Sequence, residues 1–128
     1  MPKKMVYPPE LPKTVGYSQA VRAGNMLFIS GQISENAKGE IVGKGDFKKQ
    51  ARQVFENIKA VLKAEGGSMR DIVKITVHLT DIKNLQAFRE VRGEYFKDYY
   101  PASTLIEVNS LISDELMIEI DAIAVLEK

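Results

Sequence analysis

Two carboxylates near the end of the chain have a spacing that suits acid–base chemistry. Glu119 and Asp121 lie two positions apart in a segment of alternating residues, so both side chains point to the same face of a β-strand. A carboxyl group removed from water on such a face has an increased proton affinity and can pass protons to a reacting group. On a face open to solvent, the same pair would be an ordinary surface feature. The sequence leaves both interpretations open.

Other catalytic chemistries lack the residues they need. The chain contains no cysteine, which excludes disulfides, thiolate nucleophiles and zinc ribbons. Its single histidine, His78, lies within an alternating segment, and the spacing around it does not offer the partners of a catalytic triad or a metal site. We therefore interpret His78 as a packed or solvated strand residue and expect no metal site. The sequence also has no glycine-rich phosphate loop or nucleophile elbow.

The composition indicates one domain, residues 1–128. The chain has 128 residues and is 45% hydrophobic, which is enough for one core and too short for two ordinary domains. Its 18 basic and 17 acidic residues nearly cancel to a net charge of +1, which favours neither nucleic acid nor membrane partners. No run approaches the roughly 20 apolar residues of a membrane span, and no signal-peptide run follows the first residues. We expect a soluble, cytoplasmic protein.

The first elements follow from proline and turn signals. Residues up to about 16 should form an extended arm, because the four prolines within them forbid a helix and interrupt ladder hydrogen bonds. Two strands are predicted next, at 17–22 and 26–33. They are joined at residues 23–25, a hairpin turn in which glycine and asparagine can take a positive φ.

Two helices are predicted. The first begins after Asp46, a good N-cap residue, and ends where Gly66 and Gly67 can form a left-handed cap. Its apolar residues recur at helical spacing, namely Ala51, Val54, Phe55, Ile58, Val61 and Leu62. The second helix is predicted to run from an N-cap at Asn84 to the helix-breaking Pro101.

Three further strands are predicted, at 71–80, 104–109 and 117–126. The first alternates strictly, and its apolar set is Val73, Ile75, Val77 and Leu79. The resulting order is two strands, a helix, a strand, a helix and two strands. This order is typical of an α+β fold in which two helices pack on one face of a mixed sheet.

The second face of that sheet is too apolar for open water. The last strand should turn one set of residues towards the helices, namely Ile118, Ile120, Ala122 and Ala124. The opposite set is Met117, Glu119, Asp121, Ile123 and Val125. Because such an apolar face is normally covered, we predict a homo-oligomer. Light scattering that gives a monomer at micromolar concentration would contradict this prediction.

Three segments, in the same order along the chain, resemble the signatures of one protein family. The first comprises GYSQAV at residues 16–21, AGN at 23–25 and FISGQI at 28–33. The second is YPASTLIEV at 100–108, and the third is IEIDAIAV at 118–125. They resemble the RidA/YjgF family of reactive intermediate imine deaminases, also labelled endoribonuclease L-PSP or translation initiation inhibitors. The resemblance covers nearly the whole chain after the arm.

The resemblance implies a chorismate-mutase-like (RidA-like) α+β fold, assembled as a homotrimer with ligand clefts between subunits. Active members hydrolyse small imines and enamines derived from amino acids, such as 2-aminoacrylate, to a keto acid and ammonia without a cofactor. By position, Tyr17 would lie over the ligand, and Ser30 and the Gly31 backbone would hydrogen-bond it. Glu119 would be the catalytic group that orients or activates the attacking water.

Two positions depart from the family pattern. The substrate-binding arginine is replaced by Ser103, followed by Thr104, and a hydroxyl supplies neither the charge nor the second hydrogen bond of a guanidinium. Arg89 stands where the family usually carries an asparagine. It either supplies the missing cation or is a surface residue of the second helix. Arg89, Ser103 and Thr104 complete the candidate substrate-binding set.

These departures leave several functions open. We expect a protein that binds a small metabolite in inter-subunit clefts, with any hydrolytic activity directed at a non-standard substrate. The first alternative is a 2-iminobutanoate/2-iminopropanoate deaminase that uses Arg89 or another cation. The second is an RNA-binding or endoribonuclease-like translation inhibitor, which the balanced charge does not favour. A third is a trimer that is only recognised by a partner enzyme.

Overall fold

The computed structural model describes residues 2–127 as a mixed sheet with two helices. The strands are β1 (Lys3–Val6), β2 (Ala20–Ala23), β3 (Met26–Gln32), β4 (Ile72–Leu79), β5 (Ala102–Glu107) and β6 (Ile118–Val125). The helices are α1 (Phe47–Ala64) and α2 (Leu85–Tyr95). Within residues 2–127 the strands form a six-stranded sheet in the order β1-β2-β3-β6-β4-β5, in which only β4 and β5 pair in parallel. The predicted α+β class, with helices packed on a mixed sheet, is confirmed.

The N-terminal segment adds an edge strand to the sheet, whereas the sequence predicted an arm outside it. β1 pairs antiparallel with β2 and places Met5 opposite Val21. The prolines flank this strand and do not interrupt it, since Pro2 precedes it and Pro8 follows it. Residues 3–6 therefore keep the backbone N–H groups that a ladder requires.

The first hairpin and the first helix form, but the first hairpin strand, β2, begins at Ala20, three residues after its predicted start. Gly24, in the turn between β2 and β3, has φ +63°, a conformation that glycine adopts at no steric cost. The Asp46 side chain accepts a hydrogen bond from the backbone N–H of Lys49, 3.1 Å away, and so caps α1. At the other end Gly66 has φ +76°, which closes the helix in the left-handed conformation.

The second helix differs from the prediction at both ends. The Asn84 side chain makes no capping hydrogen bond, and Asp81 instead caps a short 3₁₀ turn that leads into α2. The helix ends at Tyr95, well before Pro101. Phe96 is extended and buried, so the chain leaves the helical path in order to bury that ring in the core.

The core lies between the helices and one face of the sheet. Phe55 of α1 is fully buried, and its ring centroid is 4.8 Å from that of Tyr95 and 5.9 Å from that of Phe96. The predicted inward set of β6 is buried in the same core, namely Ile118, Ile120, Ala122 and Ala124. Neither helix of the described chain is long and apolar enough to cross a bilayer.

The predicted apolar set of β4 is wrong for one residue, which does not lie in the core. Val73 is 37% exposed, whereas Ile72 beside it is fully buried. The ladder between β4 and β6 shifts register between Ile72 and Lys74, and this irregularity turns Val73 outwards. Strict alternation in the sequence cannot reveal such a shift, because the shift depends on the partner strand.

The sheet face that points away from the helices is called the open face. On β6 it carries Glu119, Asp121 and Ile123, which are half-buried, and Val125, which is 36% exposed. Phe28 of β3 pairs with Ile123 and is 42% exposed. The predicted division of β6 into a buried set and an outward set is therefore confirmed for residues 118–125. It is wrong for Met117, which precedes the strand and packs against the core.

Candidate functional site

Glu119 lies among polar side chains at one end of the open face. The sheet register places Glu119 of β6 opposite His78 of β4. The neighbouring row contains Asp121 of β6, Thr76 of β4 and Thr104 of β5. The pleat therefore gathers acid–base and hydroxyl groups from three strands on one surface.

Gly31 makes room for the Glu119 carboxyl group. The β3–β6 ladder shifts register between Ile29 and Gln32, and Gly31 lies within this irregular stretch. A Cβ atom added to Gly31 would lie 2.8 Å from the carboxyl carbon of Glu119 and would collide with its Oε2 atom. Any side chain at position 31 would therefore displace the carboxylate.

Partial burial raises the pKa of Glu119 above its ordinary value. Removal from water is the largest cause, the charge of His78 opposes it, and the charge of Asp121 adds to it. The Nδ1 atom of His78 is 3.2 Å from the backbone oxygen of Glu119, a contact that holds the ring beside β6. Burial therefore moves the pKa of the Glu119 carboxyl group towards the pH range in which a proton carrier is most effective.

Ser30 and Tyr17, predicted to bind the ligand together with Gly31, differ from each other in their surroundings. The Ser30 hydroxyl donates to the backbone oxygen of Ser18 at 2.7 Å, so only its lone pairs remain for a ligand. Tyr17 is 58% exposed in the loop before β2 and lines a small cleft together with Gly31. Its ring is therefore accessible from solvent.

A buried amide pair lies beside Gly31 and was not predicted from the sequence. Gln19 and Gln32 are only 4% and 3% exposed. Gln32 Nε2 donates to Gln19 Oε1 at 2.9 Å, and Gln19 Nε2 donates to the Pro12 oxygen at 3.0 Å. This chain of hydrogen bonds ties β3 to the segment before β2. The available signal was that both glutamines fall within predicted strands, Gln19 next to Ala20 and Gln32 next to Ile33.

Ser103 and Thr104 of β5 lie on opposite faces of the sheet. Ser103 pairs with the buried Ile75 and shares its orientation towards the helices, whereas Thr104 pairs with Thr76 on the open face. The ammonium group of Lys74 donates to the Thr104 hydroxyl at 2.6 Å. The two consecutive residues therefore belong to different surfaces.

Ser103 and Arg89 line the same cavity beneath α2. The cavity has a volume of about 560 Å³, and two further basic residues, Arg92 and Lys97, contribute to its lining. Neither Arg92 nor Lys97 belongs to the candidate set predicted from the sequence. The i, i+3 spacing of Arg89 and Arg92 is the signal that could have found them, because it puts both on one helix face.

Within one chain, therefore, the predicted site residues form two separate groups. The group around Glu119 lies on the open face and at its margin, and the group around Ser103 lies on the helix side of β5. Thr104 faces the open side but is separated from Glu119 by β4. Among residues 2–127, no cluster of three or more histidine, aspartate or glutamate side chains could hold a metal ion.

Substituting Gly31 with alanine should disturb the Glu119 carboxyl group. The added methyl group collides with that carboxylate, so we expect a loss of stability and a larger loss of any activity that requires Glu119. Gly93→Ala is the matched control, since a Cβ at this helix position meets nothing within 4 Å. It should stabilise the protein by up to about 1 kcal/mol. Thermal unfolding of both variants tests the contrast in stability. Gly93 lines the cavity beside Ser103, so it is a control for stability alone, and the activity of the Gly31 variant is compared with that of the wild type. Equal changes in the stability of the two variants would contradict the prediction.

Known proteins resemble this chain over almost its whole length. The family model described as Endoribonuclease L-PSP matches residues 9–126. A RutC family protein of Pyrococcus horikoshii is 50% identical over 124 residues, which are 95% of this chain and 97% of that protein. The 2-iminobutanoate/2-iminopropanoate deaminase of Dermatophagoides farinae is 35% identical over 127 residues, which are 98% of both chains.

Solved structures share the same fold. Yeast Mmf1 matches with a TM-score of 0.93 and 33% identity over 98% of this chain and 100% of that chain. E. coli TdcF with bound serine matches with a TM-score of 0.87 and 37% identity over 95% of this chain and 98% of that chain. The residues matched by the family model, 9–126, include every strand from β2 onwards and both helices. The chain therefore belongs to the Endoribonuclease L-PSP family, the RidA/YjgF family that its three sequence signatures resemble.

Proposed function

We propose that the protein assembles as a homotrimer and binds a small metabolite in clefts between its subunits. The two groups of candidate residues face opposite sides of one chain, so a neighbouring copy would have to bring one group to the other. The open face also carries exposed apolar side chains that a neighbour would cover. Phe28, Ile106 and Val125 are 42%, 43% and 36% exposed.

The reaction that we propose in this cleft is hydrolysis of a C=N bond. Water adds to the imine carbon, the nitrogen is protonated, and the C–N bond breaks to give a carbonyl compound and ammonia. A single positioned carboxyl group can take the proton from the water and deliver it to the nitrogen. Glu119 suits this role because its carboxyl group is half-buried, has a raised pKa and lies against the bare backbone of Gly31. That arrangement is the observation that carries the proposal.

The substrate is proposed to differ from the simplest amino-acid imines. Ser103 offers a neutral hydroxyl where a guanidinium would bind a carboxylate with two hydrogen bonds. Loss of such a buried contact costs about 2 to 5 kcal/mol of binding free energy. Affinity for a small monocarboxylate would therefore fall by roughly 30-fold or more.

The second candidate function is 2-iminobutanoate/2-iminopropanoate deamination. The Dermatophagoides farinae protein of that name is 35% identical to this chain over almost its full length, and this favours the candidate. The substrate carboxylate would then have to be held by a cation other than residue 103. Arg89 is available for that contact because it lines the same cavity as Ser103.

Turnover of 2-aminoacrylate separates the two candidates. The compound is generated freshly in the presence of the protein, and release of pyruvate and ammonia is compared with spontaneous hydrolysis. We expect little acceleration with 2-aminoacrylate and a clear acceleration with at least one larger imine, formed in place by an amino-acid oxidase. Rapid pyruvate release that Glu119→Ala abolishes would instead establish the second candidate. If the protein accelerated the hydrolysis of none of these imines, both candidate functions would be refuted.

A further inference from the structure

The acidic and the basic side chains of α2 and of the segment after it lie on different sides. The three acidic residues between positions 85 and 100 are each paired with a cation outside the cavity. Glu90 pairs with Lys48, Glu94 pairs with Arg52, and Asp98 pairs with Arg70. Since Lys48 and Arg52 belong to α1, these two pairs also fix which side of α2 is turned towards α1.

The basic residues of the same stretch gather on another side. Arg89, Arg92 and Lys97 all line the cavity beneath α2, and within residues 2–127 none of them forms a salt bridge. The described lining of this cavity contains no aspartate or glutamate. Three cations therefore line one space of about 560 Å³ whose described lining supplies no counter-charge. Glu94 interacts electrostatically with Lys97, but it lies outside this lining and is paired with Arg52.

Two further features of the cavity favour binding of an anion. The guanidinium of Arg92 is 5.4 Å from the centroid of the Phe88 ring, and this contact orients the side chain. Ser103 faces the same space with a short hydroxyl side chain. An arginine at position 103 would bring a fourth positive charge towards the other three, whereas serine leaves room for a ligand and adds a hydrogen-bond donor.

We propose that this cavity is the anion-binding half of the cleft and that it selects dicarboxylates, so that the substrate is an imine derived from an acidic amino acid. Arg89 and Arg92 each bind one carboxylate group, and Lys97 adds to the positive field. A monocarboxylate would leave surplus cations unpaired, while a dicarboxylate matches both guanidinium forks. The inference rests on the proposed function for the reaction, but dicarboxylate binding can be measured without turnover.

Calorimetric titration of the full-length protein tests this selection. The probes are 2-oxoglutarate, which is a dicarboxylate product of such a reaction, 2-oxobutanoate, which has one carboxylate, and inorganic phosphate. We expect 2-oxoglutarate to bind at least about tenfold more tightly than 2-oxobutanoate, since each charged hydrogen-bonded contact is worth about this factor. Arg89→Gln and Arg92→Gln should each remove most of that preference.

Lys63→Gln is the control, because it removes the same charge from the exposed side of α1, away from the cavity. Its preference for 2-oxoglutarate should equal that of the wild type, and circular dichroism should show all variants folded.

Equal affinities for the two keto acids, tighter binding of phosphate, or arginine variants that retain the preference would each overturn the inference. Imine turnover without dicarboxylate preference would refute this inference alone. Dicarboxylate preference without turnover would refute only the proposed reaction.

Discussion

Replacing Glu119 with glutamine is expected to reduce the rate of imine hydrolysis by about 10²- to 10⁴-fold. The amide keeps nearly the same shape against Gly31, but it can neither take a proton from water nor deliver one to the leaving nitrogen. Ligand binding should change far less than turnover. The measurement is ammonia release from the imine that the wild-type protein hydrolyses fastest, with keto acid binding determined in parallel.

Asp121→Asn is the matched control for this variant. Asp121 lies on the same strand face, but it pairs across the sheet with Thr76. Loss of its charge should leave most of the activity. If Glu119→Gln retained the wild-type rate, or if the Asp121 variant lost as much activity as the Glu119 variant, the role assigned to Glu119 would be wrong.

The raised pKa of Glu119 fixes the sign of two pH effects. Because the ionised form takes the proton from water, kcat/KM should fall as the pH drops through the raised pKa. For stability, a raised pKa means that the folded state binds this proton more tightly than the unfolded state, whose pKa is about 4.3. The stabilising contribution is complete below that unfolded value and is lost as the pH rises through the folded value. Glu119→Gln should therefore unfold at a higher temperature than the wild type at pH 7, and the difference should vanish near pH 4.

Replacing Phe55 with alanine is expected to lower the free energy of unfolding by about 3 to 5 kcal/mol. Phe55 is fully buried, and its ring packs against the rings of Phe88, Tyr95 and Phe96. Truncation removes the central member of this cluster and leaves a cavity between α1 and the end of α2. Denaturant unfolding at a fixed protein concentration measures the loss, because unfolding of the proposed homotrimer would depend on concentration.

Tyr100→Ala provides the comparison for Phe55. Tyr100 is 73% exposed, so its removal should change stability by no more than about 0.5 kcal/mol. Should the two alanine variants be equally stable, the aromatic cluster around Phe55 would not be the centre of the core.

Most of the fold could be predicted because its signals are local. The N-cap and apolar stripe of α1 and the alternation of β6 each lie within a short stretch, and each formed as expected. The errors share a different cause. β1 forms because β2 offers it a partner, α2 ends early because Phe96 packs into the core, and Val73 turns outwards because the β4–β6 ladder shifts. Each depends on residues distant in the sequence.

The amino-acid sequence by itself determined the family, the α+β class and the lack of cysteine chemistry, since these follow from residue types and their order. It also identified Glu119 and the change at Ser103. Only the tertiary structure decided that Glu119 lies against Gly31 and that Ser103 faces a cavity with Arg89 and Arg92. The physical reason is that strand register and helix packing decide which side chains meet, and both arise from contacts between elements far apart in the chain.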